Sequence, residues 1–223
     1  MQDDALKLKM TDIKYLLFDL DGTLIDSSDG IIDATNYALR AIGEPVRKPE
    51  EIIPFIGFQL EEMFAHFSSK SYDLFFRYFQ GRGVDSIAGS AVPVDGADMI
   101  LRKLYNHGYK IGIGTHKMRI HIGKIIQKLG WNDMITFYAG ADDVRQVKPH
   151  PEVYLKVMNL LGGNLRNSLV IGDTIYDVLA ARAAGLPVVA VYSPFGNNVK
   201  LAESRPDFLI QKISQLSPLL GLT

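Results

Sequence analysis

The sequence predicts an α/β protein built on a doubly wound, Rossmann-like parallel sheet with an α-helical cap inserted into it. Three observations carry that prediction. Short apolar segments recur from Tyr15 to Ile210, amphipathic stretches that stop at glycine lie between them, and one long region interrupts the alternation without offering a strand. Strands that alternate with helices imply crossover connections, and those connections cover both faces of a parallel sheet. With 223 residues, 47% of them hydrophobic, the chain has apolar material for one substantial core and a smaller companion module.

The first strand is read at Tyr15-Leu16-Leu17-Phe18, a continuous apolar run followed at once by aspartate and glycine, as expected of a buried parallel strand that opens onto a loop. Comparable runs stand at Lys110 to Thr115, Ile135 to Ala139, Ser168 to Gly172 and Val188 to Val191, with a fainter one at Asp207 to Ile210. Between them, Asp95 to His107, Arg119 to Leu129 and Pro151 to Leu161 read as helices, each followed by a glycine that suits a helix end. From about Ser27 to Ala91 the pattern is helical throughout. Asp29 to Ile42 is amphipathic, with Ser27 or Ser28 available as a cap and Gly43 to end it. Pro49 to Ile56, Gln59 to Phe67 and Ser71 to Phe79 predict three further short helices before a polar return through Gly81, Gly83 and Gly89. Residues 1–26 and 92–223 are therefore assigned to the α/β core and 27–91 to the cap. Inserted directly after strand one, the cap is expected over the carboxyl ends of the strands, where open α/β sheets place their sites.

Composition removes several classes of function. With 24 basic and 25 acidic residues the formal charge is -1, so no overall field draws in nucleic acid or an anionic membrane surface. No cysteine is present, which excludes disulfides, thiol catalysis and cysteine-ligated metals and fits a reducing, cytoplasmic setting. The polar start, Met1 to Lys14, lacks the apolar stretch of a secretory signal, and no run of about 18 apolar residues suggests a membrane span. The composition leaves monomer and homodimer equally open.

The strongest chemical signal is Asp19-Leu20-Asp21-Gly22-Thr23, immediately after strand one. Two carboxylates separated by one residue can share a crevice only if the chain leaves strict β geometry, and Gly22 permits that turn. A carboxylate becomes a useful nucleophile towards phosphorus when a magnesium ion shields its charge, and a neighbouring acid can protonate the leaving oxygen. A polar turn after a strand is the plainer reading of the same residues. Gly172-Asp173-Thr174-Ile175-Tyr176-Asp177 repeats the arrangement after Leu169-Val170-Ile171, with Asp177 one helical turn beyond Asp173. Magnesium favours such carboxylate oxygens; alternatively Asp173 is a helix cap and Asp177 an exposed acid. Lys148, in Lys148-Pro149-His150-Pro151, opens a predicted helix and is either a surface lysine or the neutraliser of a phosphate oxygen. Thr115, at the end of Ile111-Gly112-Ile113-Gly114, is either an ordinary strand-end residue or a phosphate ligand beside a helix start.

In this order the four elements closely resemble the haloacid dehalogenase superfamily, over nearly the whole chain, and the residues from Thr23 to Ser27 and around Lys148 look most like its phosphoglycolate phosphatase branch with a small α-helical cap. The resemblance implies Asp19 as nucleophile, Asp21 as general acid and base, Thr115 and Lys148 as phosphate holders, and a Mg²⁺ held by Asp19, the backbone carbonyl of Asp21, and Asp173. It also implies that Asp177 supports the metal indirectly. The asparagine usual after the threonine is His116 here, which keeps the backbone role in phosphate binding and makes the imidazole an auxiliary, packed or solvent-facing group. His66, His107, His121 and His150 show no metal spacing and are assigned no chemistry.

The cap is expected to choose the substrate, with the loop Gly57-Phe58-Gln59 as its contact; a plain turn between short helices is the alternative. Tyr72, Phe75, Phe76 and Phe79 read as the cap's own core, and Arg77 as a solvated charge. The activity expected is hydrolysis of a small phosphorylated metabolite resembling phosphoglycolate. A β-phosphoglucomutase-like mutase and an inorganic pyrophosphatase share the same chemistry, although Thr23 fits the hydrolytic branch better by resemblance. A dehalogenase needs neither Asp21 nor a metal, and a silent binding module on this fold needs none of the acids.

Overall fold

The computed structural model describes residues 10–222. Residues 1–9, which hold most of the polar start, lie outside that range. β1 (Tyr15–Phe18) leads through the short β2 (Ile25–Asp26) into four helices, α1 (Ser28–Ala41), α2 (Pro49–Ile52), α3 (Leu60–Phe67) and α4 (Tyr72–Ser90), and the chain returns through β3 (Val92–Pro93). There follow α5 (Ala97–Asn106), β4 (Lys110–Gly114), α6 (Arg119–Leu129), β5 (Ile135–Ala139), α7 (Glu152–Leu161) and β6 (Ser168–Gly172). The remainder is α8 (Ile175–Ala184), β7 (Val188–Val191), α9 (Asn198–Glu203), β8 (Phe208–Ile210) and α10 (Leu216–Leu219). Among the described residues, no helix is long and apolar enough to cross a membrane.

β5-β4-β1-β6-β7-β8 form one parallel sheet, with β1 in register between β4 and β6. Because side chains alternate across a strand, Leu16 and Phe18 enter the apolar cluster on one face while Leu17 enters the cluster on the other. All three are fully buried, each worth roughly 1.5–3 kcal/mol of apolar burial. Burial on both faces is the physical reason this strand reads as a continuous apolar run. The chain runs from β1 to β4 and β5 on one side and then to β6, β7 and β8 on the other, so the strand ends of β1, β4 and β6 meet at the switch in winding.

The helical insert springs from a two-stranded antiparallel ribbon, Ile25 opposite Pro93 and Asp26 opposite Val92, which the sequence pattern does not announce. Its largest departure from expectation is α4. The expected return through Gly81, Gly83 and Gly89 is helix, continuous from Tyr72 to Ser90. A glycine costs about 1 kcal/mol in a helix interior, and burial of Phe75, Phe79, Ile87 and Ala88 outweighs that cost. α4 also lies tightly against α1: a Cβ on Gly30 would fall 2.4 Å from the Ser86 carbonyl oxygen, and Ser90 Oγ accepts the Gly30 N–H at 3.0 Å. The expected helix over Pro49 to Ile56 divides into α2 and a 3₁₀ turn at Ile53–Phe55 that contains Pro54.

Candidate active site

β1 delivers Asp19 to the crevice: its N–H still pairs with the Ile171 carbonyl at 2.8 Å, one step beyond the last strand residue. The chain then turns, with Gly22 at φ +81° and its N–H on the Ile25 carbonyl at 2.9 Å. Only glycine fits there, since a Cβ would stand 2.1 Å from Asp173 Oδ2. The same turn points the Thr23 hydroxyl at Asp173 Oδ1, which accepts its hydrogen bond at 2.7 Å. A local glycine therefore joins motifs 150 residues apart.

Asp19, Asp173 and Asp177 are all buried, and each offers an oxygen within 4.8 Å of the others. Lys148, fully buried, places its ammonium 2.8 Å from Asp19 Oδ1 and 2.7 Å from Asp177 Oδ1. Asp177 is fully engaged: Oδ1 also accepts from the Tyr154 hydroxyl at 2.6 Å, and Oδ2 accepts the Thr174 N–H at 3.0 Å and the Thr174 hydroxyl at 2.7 Å. Asp19 Oδ2, by contrast, is buried with no hydrogen-bond partner among the described residues. Neither alternative reading of the second motif holds. Thr174 rather than Asp173 stands at the N-cap of α8, its N–H and hydroxyl both donated to the Asp177 carboxylate, and Asp177 is not exposed.

The electrostatics follow from three acids facing one ammonium. Burial, reinforced by Asp177 against the opposing pull of Lys148, raises the Asp19 carboxyl to about 6. Burial and then Asp19 push Asp173 well above the ordinary carboxylate range. Burial would raise Asp177 too, but Lys148 and the hydrogen bonds it accepts hold it low. Lys148 stays charged because Asp177 and Asp19 overcome its own desolvation. The surplus negative charge and the orphaned Asp19 oxygen fit a hard divalent cation, which Asp19 and Asp173 can hold while the spent Asp177 supports them.

Asp21 lies on the other side of the turn. Its Oδ1 accepts from the Ser27 hydroxyl at 2.6 Å, and its Oδ2 lies 2.9 Å from the buried Lys117 ammonium. Ser27 thus does not cap α1 with its side chain; Asp26 Oδ1 accepts the Ser28 N–H instead, at 2.8 Å. Lys117 is a residue the sequence reading missed. It follows Thr115 by two positions, and only the direction of the turn after β4 sends it to Asp21. Thr115 is buried at the end of β4 with its N–H on the Ala139 carbonyl at 3.1 Å.

His116 is packed, as the plainer expectation had it. Nδ1 lies 2.9 Å from the Gly57 carbonyl and Nε2 lies 2.9 Å from the Lys148 carbonyl, so the ring packs between the cap loop and the Lys148 loop and, as a neutral imidazole, donates to one of the two carbonyls. Burial, and then Lys148, hold this imidazole down to about 4 against the pull of the two carbonyls. The Gly57 to Gln59 loop does sit at the site: Gln59 Nε2 donates to the Lys148 carbonyl at 3.3 Å, and the Phe58 ring meets Tyr176 edge-on at 5.0 Å. Tyr72, Phe76 and Phe79, read as cap core, also line the space beneath the cap; Arg77 is exposed, as expected.

The pyrophosphatase PpaX of Bacillus cereus (strain AH820) is 30% identical over 211 residues, covering 94% of this chain and 97% of that protein. A haloacid dehalogenase-like hydrolase from Bacteroides fragilis superposes with a TM-score of 0.85 at 27% identity, over 92% of this chain and 99% of that one. A predicted phosphoglycolate phosphatase from Haemophilus somnus 129pt shares the fold, with a TM-score of 0.81 at 23% identity over 95% of this chain and 99% of that one. The family profile of the haloacid dehalogenase-like hydrolases matches residues 16–191, from β1 through β7, and the chain belongs to that family.

Proposed function

We propose that the protein is a magnesium-dependent phosphatase that hydrolyses a small phosphorylated metabolite through a phosphoenzyme on Asp19. The observation that carries this reading is the buried Asp19 carboxylate, with Oδ2 free of hydrogen bonds and Lys148 at 2.8 Å from Oδ1. An Asp19 oxygen attacks phosphorus, the bond to the leaving oxygen breaks, and Asp21 supplies the proton that oxygen takes up. Asp21 then removes a proton from water, whose oxygen attacks the phosphoryl group, releasing phosphate and restoring the Asp19 carboxylate. Lys148, the Thr115 hydroxyl and the backbone N–H of His116 are assigned to the phosphoryl oxygens. Mg²⁺, held by Asp19, the Asp21 carbonyl and Asp173, would supply charge neutralisation between the nucleophile and the incoming phosphate.

The names carried by relatives suggest pyrophosphate or phosphoglycolate as substrates, and a mutase remains a second reading on the same chemistry. Asp21 and the acid pair Asp173 and Asp177 argue for phosphate rather than halide chemistry, because a dehalogenase needs neither an acid at position 21 nor a metal. The cytoplasm is the compartment assigned. The test is turnover of an aryl phosphate and of a panel of phosphorylated metabolites with Mg²⁺, with chelator, and with Asp19→Asn. Activity should vanish in chelator and fall at least about a thousandfold in the folded variant. Undiminished turnover in either arm refutes the phosphoenzyme reading.

A further inference from the structure

Beside Asp21, Thr115 and Lys117 a partly open cavity of about 220 Å³ lies beneath the cap. Its cap wall is apolar, made chiefly by Ile31, Phe55, Phe58, Phe76, Phe79 and Ile87. Among the described residues no arginine lines it, and the one ammonium that does, Lys117, is already held 2.9 Å from Asp21. The other nearby cation, Lys148, is fully buried between Asp19 and Asp177 and is not among the lining residues. Glu61 stands at the exposed rim and adds a negative charge. On the core side of the same cavity, His121 of α6 is buried with its Nε2 lacking a hydrogen-bond partner among the described residues. Burial, and then Lys117, hold that imidazole down to about 4, so near neutrality it contributes no charge but leaves one hydrogen-bonding position.

We propose that this space receives an uncharged, largely apolar leaving group, aromatic or branched, rather than a second anion; the proposal rests on the phosphatase reading above and narrows its substrate class. A second phosphate or a carboxylate entering here would lose its water without meeting a free cation, against an apolar wall and two carboxylates. An apolar group of matching size gains from the same wall what the anion loses. The core then binds only the phosphoryl group, and selection follows from the absence of a guanidinium among the described residues that line the cavity rather than from a recognition charge.

Benzyl phosphate tests this, because its leaving alcohol is alkyl like that of phosphoglycolate and differs mainly in carrying a ring instead of a carboxylate. For the full chain with Mg²⁺, kcat/KM for benzyl phosphate should exceed that for phosphoglycolate and for pyrophosphate by at least about tenfold. Phe76→Arg, at a half-buried position on the cavity wall, should narrow or reverse that ratio while circular dichroism stays unchanged. Equal or faster turnover of either anionic substrate by the unaltered chain overturns the proposal and leaves the phosphatase reading standing. Should none of the three turn over, their affinities for Asp19→Asn, measured by calorimetry, decide the matter separately. Tighter binding of benzyl phosphate then sustains the apolar cavity while the phosphatase reading falls, and a preference for either anion removes the cavity proposal too.

Discussion

Asp177 accepts four hydrogen bonds, from Lys148, Tyr154 and, twice, Thr174, whereas Gln59 reaches the core through one bond of 3.3 Å. The contrast extends to the surroundings of both residues. At the strand ends, Asp19, Asp173 and Lys148 are buried and fixed from several directions by contacts between distant parts of the chain. At the cap edge the loop rests on the His116 ring and on the edge of Tyr176, whose hydroxyl donates to Glu62 of the adjoining α3. Over-determined groups hold a reacting centre to a fraction of an ångström, while a surface held by few contacts can open with little loss. The difference implies that damage at the strand ends harms every substrate alike, and that damage at the cap edge redistributes preference among them.

The two glycine turns give the sharpest comparison, because both lie in the left-handed region and differ in what surrounds them. At Gly22 a Cβ would stand 2.1 Å from Asp173 Oδ2, while at Gly57, φ +87°, the nearest atom would be Thr174 Cγ2 at 3.1 Å. Gly22→Ala should lose about 3 kcal/mol of stability and nearly all activity, and Gly57→Ala about 1 kcal/mol. Denaturant titration of the two variants checks this; equal losses would mean that backbone strain alone, and not the approach of Asp173, sets the cost.

Lys117→Met should lower kcat about 10- to 100-fold for good and poor substrates alike, because it removes the partner that holds Asp21, and it should leave KM nearly unchanged. A rise in KM with kcat preserved would move Lys117 from positioning Asp21 to contacting the substrate.

Between the two regions, His116 and His121 supply a dependence on pH. Burial first, and then Lys148 or Lys117, depress both imidazoles from 6.5 to about 4. Above 6.5 both are neutral whether the protein is folded or unfolded. As pH falls from 6.5 towards about 4, the unfolded chain takes up protons that the packed rings refuse, and stability is lost over that window. Asp19, raised to about 6, and Asp173, also raised, take up protons in the folded protein and act in the opposite direction. The comparison is therefore differential: the Tm of His121→Phe relative to the unaltered chain should rise as pH falls from about 7 to about 5, as measured by thermal melts at each pH. A relative Tm that stays constant over that window would assign the loss to other groups.

The smallest effect belongs to Gln59→Ala. Loss of its bond to the Lys148 carbonyl should cost about 1 kcal/mol, seen as a roughly fivefold change in kcat/KM for benzyl phosphate with methyl phosphate, too small to reach the cap wall, nearly unaffected. Equal losses on both would place this loop with the over-determined centre.

What the sequence determined by itself was everything that depends on a local pattern. Strands buried on both faces must be continuous apolar runs, so Tyr15–Phe18 and Ser168–Gly172 were legible, and so were the acids that follow them, Asp19, Asp21 and Asp173. Lys148 and Thr115 were legible only as members of that ordered set, since each alone reads equally well as surface or strand end. Tertiary structure decided what depends on direction and crossing. α4 runs through three glycines because its packing against α1 and the burial of its apolar face outweigh propensity, and no local window contains either term. Lys117 meets Asp21, Tyr154 meets Asp177 and Ser27 leaves its expected cap for Asp21 because turns after separate strands converge at one end of the sheet. Period and punctuation are properties of neighbouring residues; which side chains satisfy a buried charge is a property of how the sheet brings distant residues together.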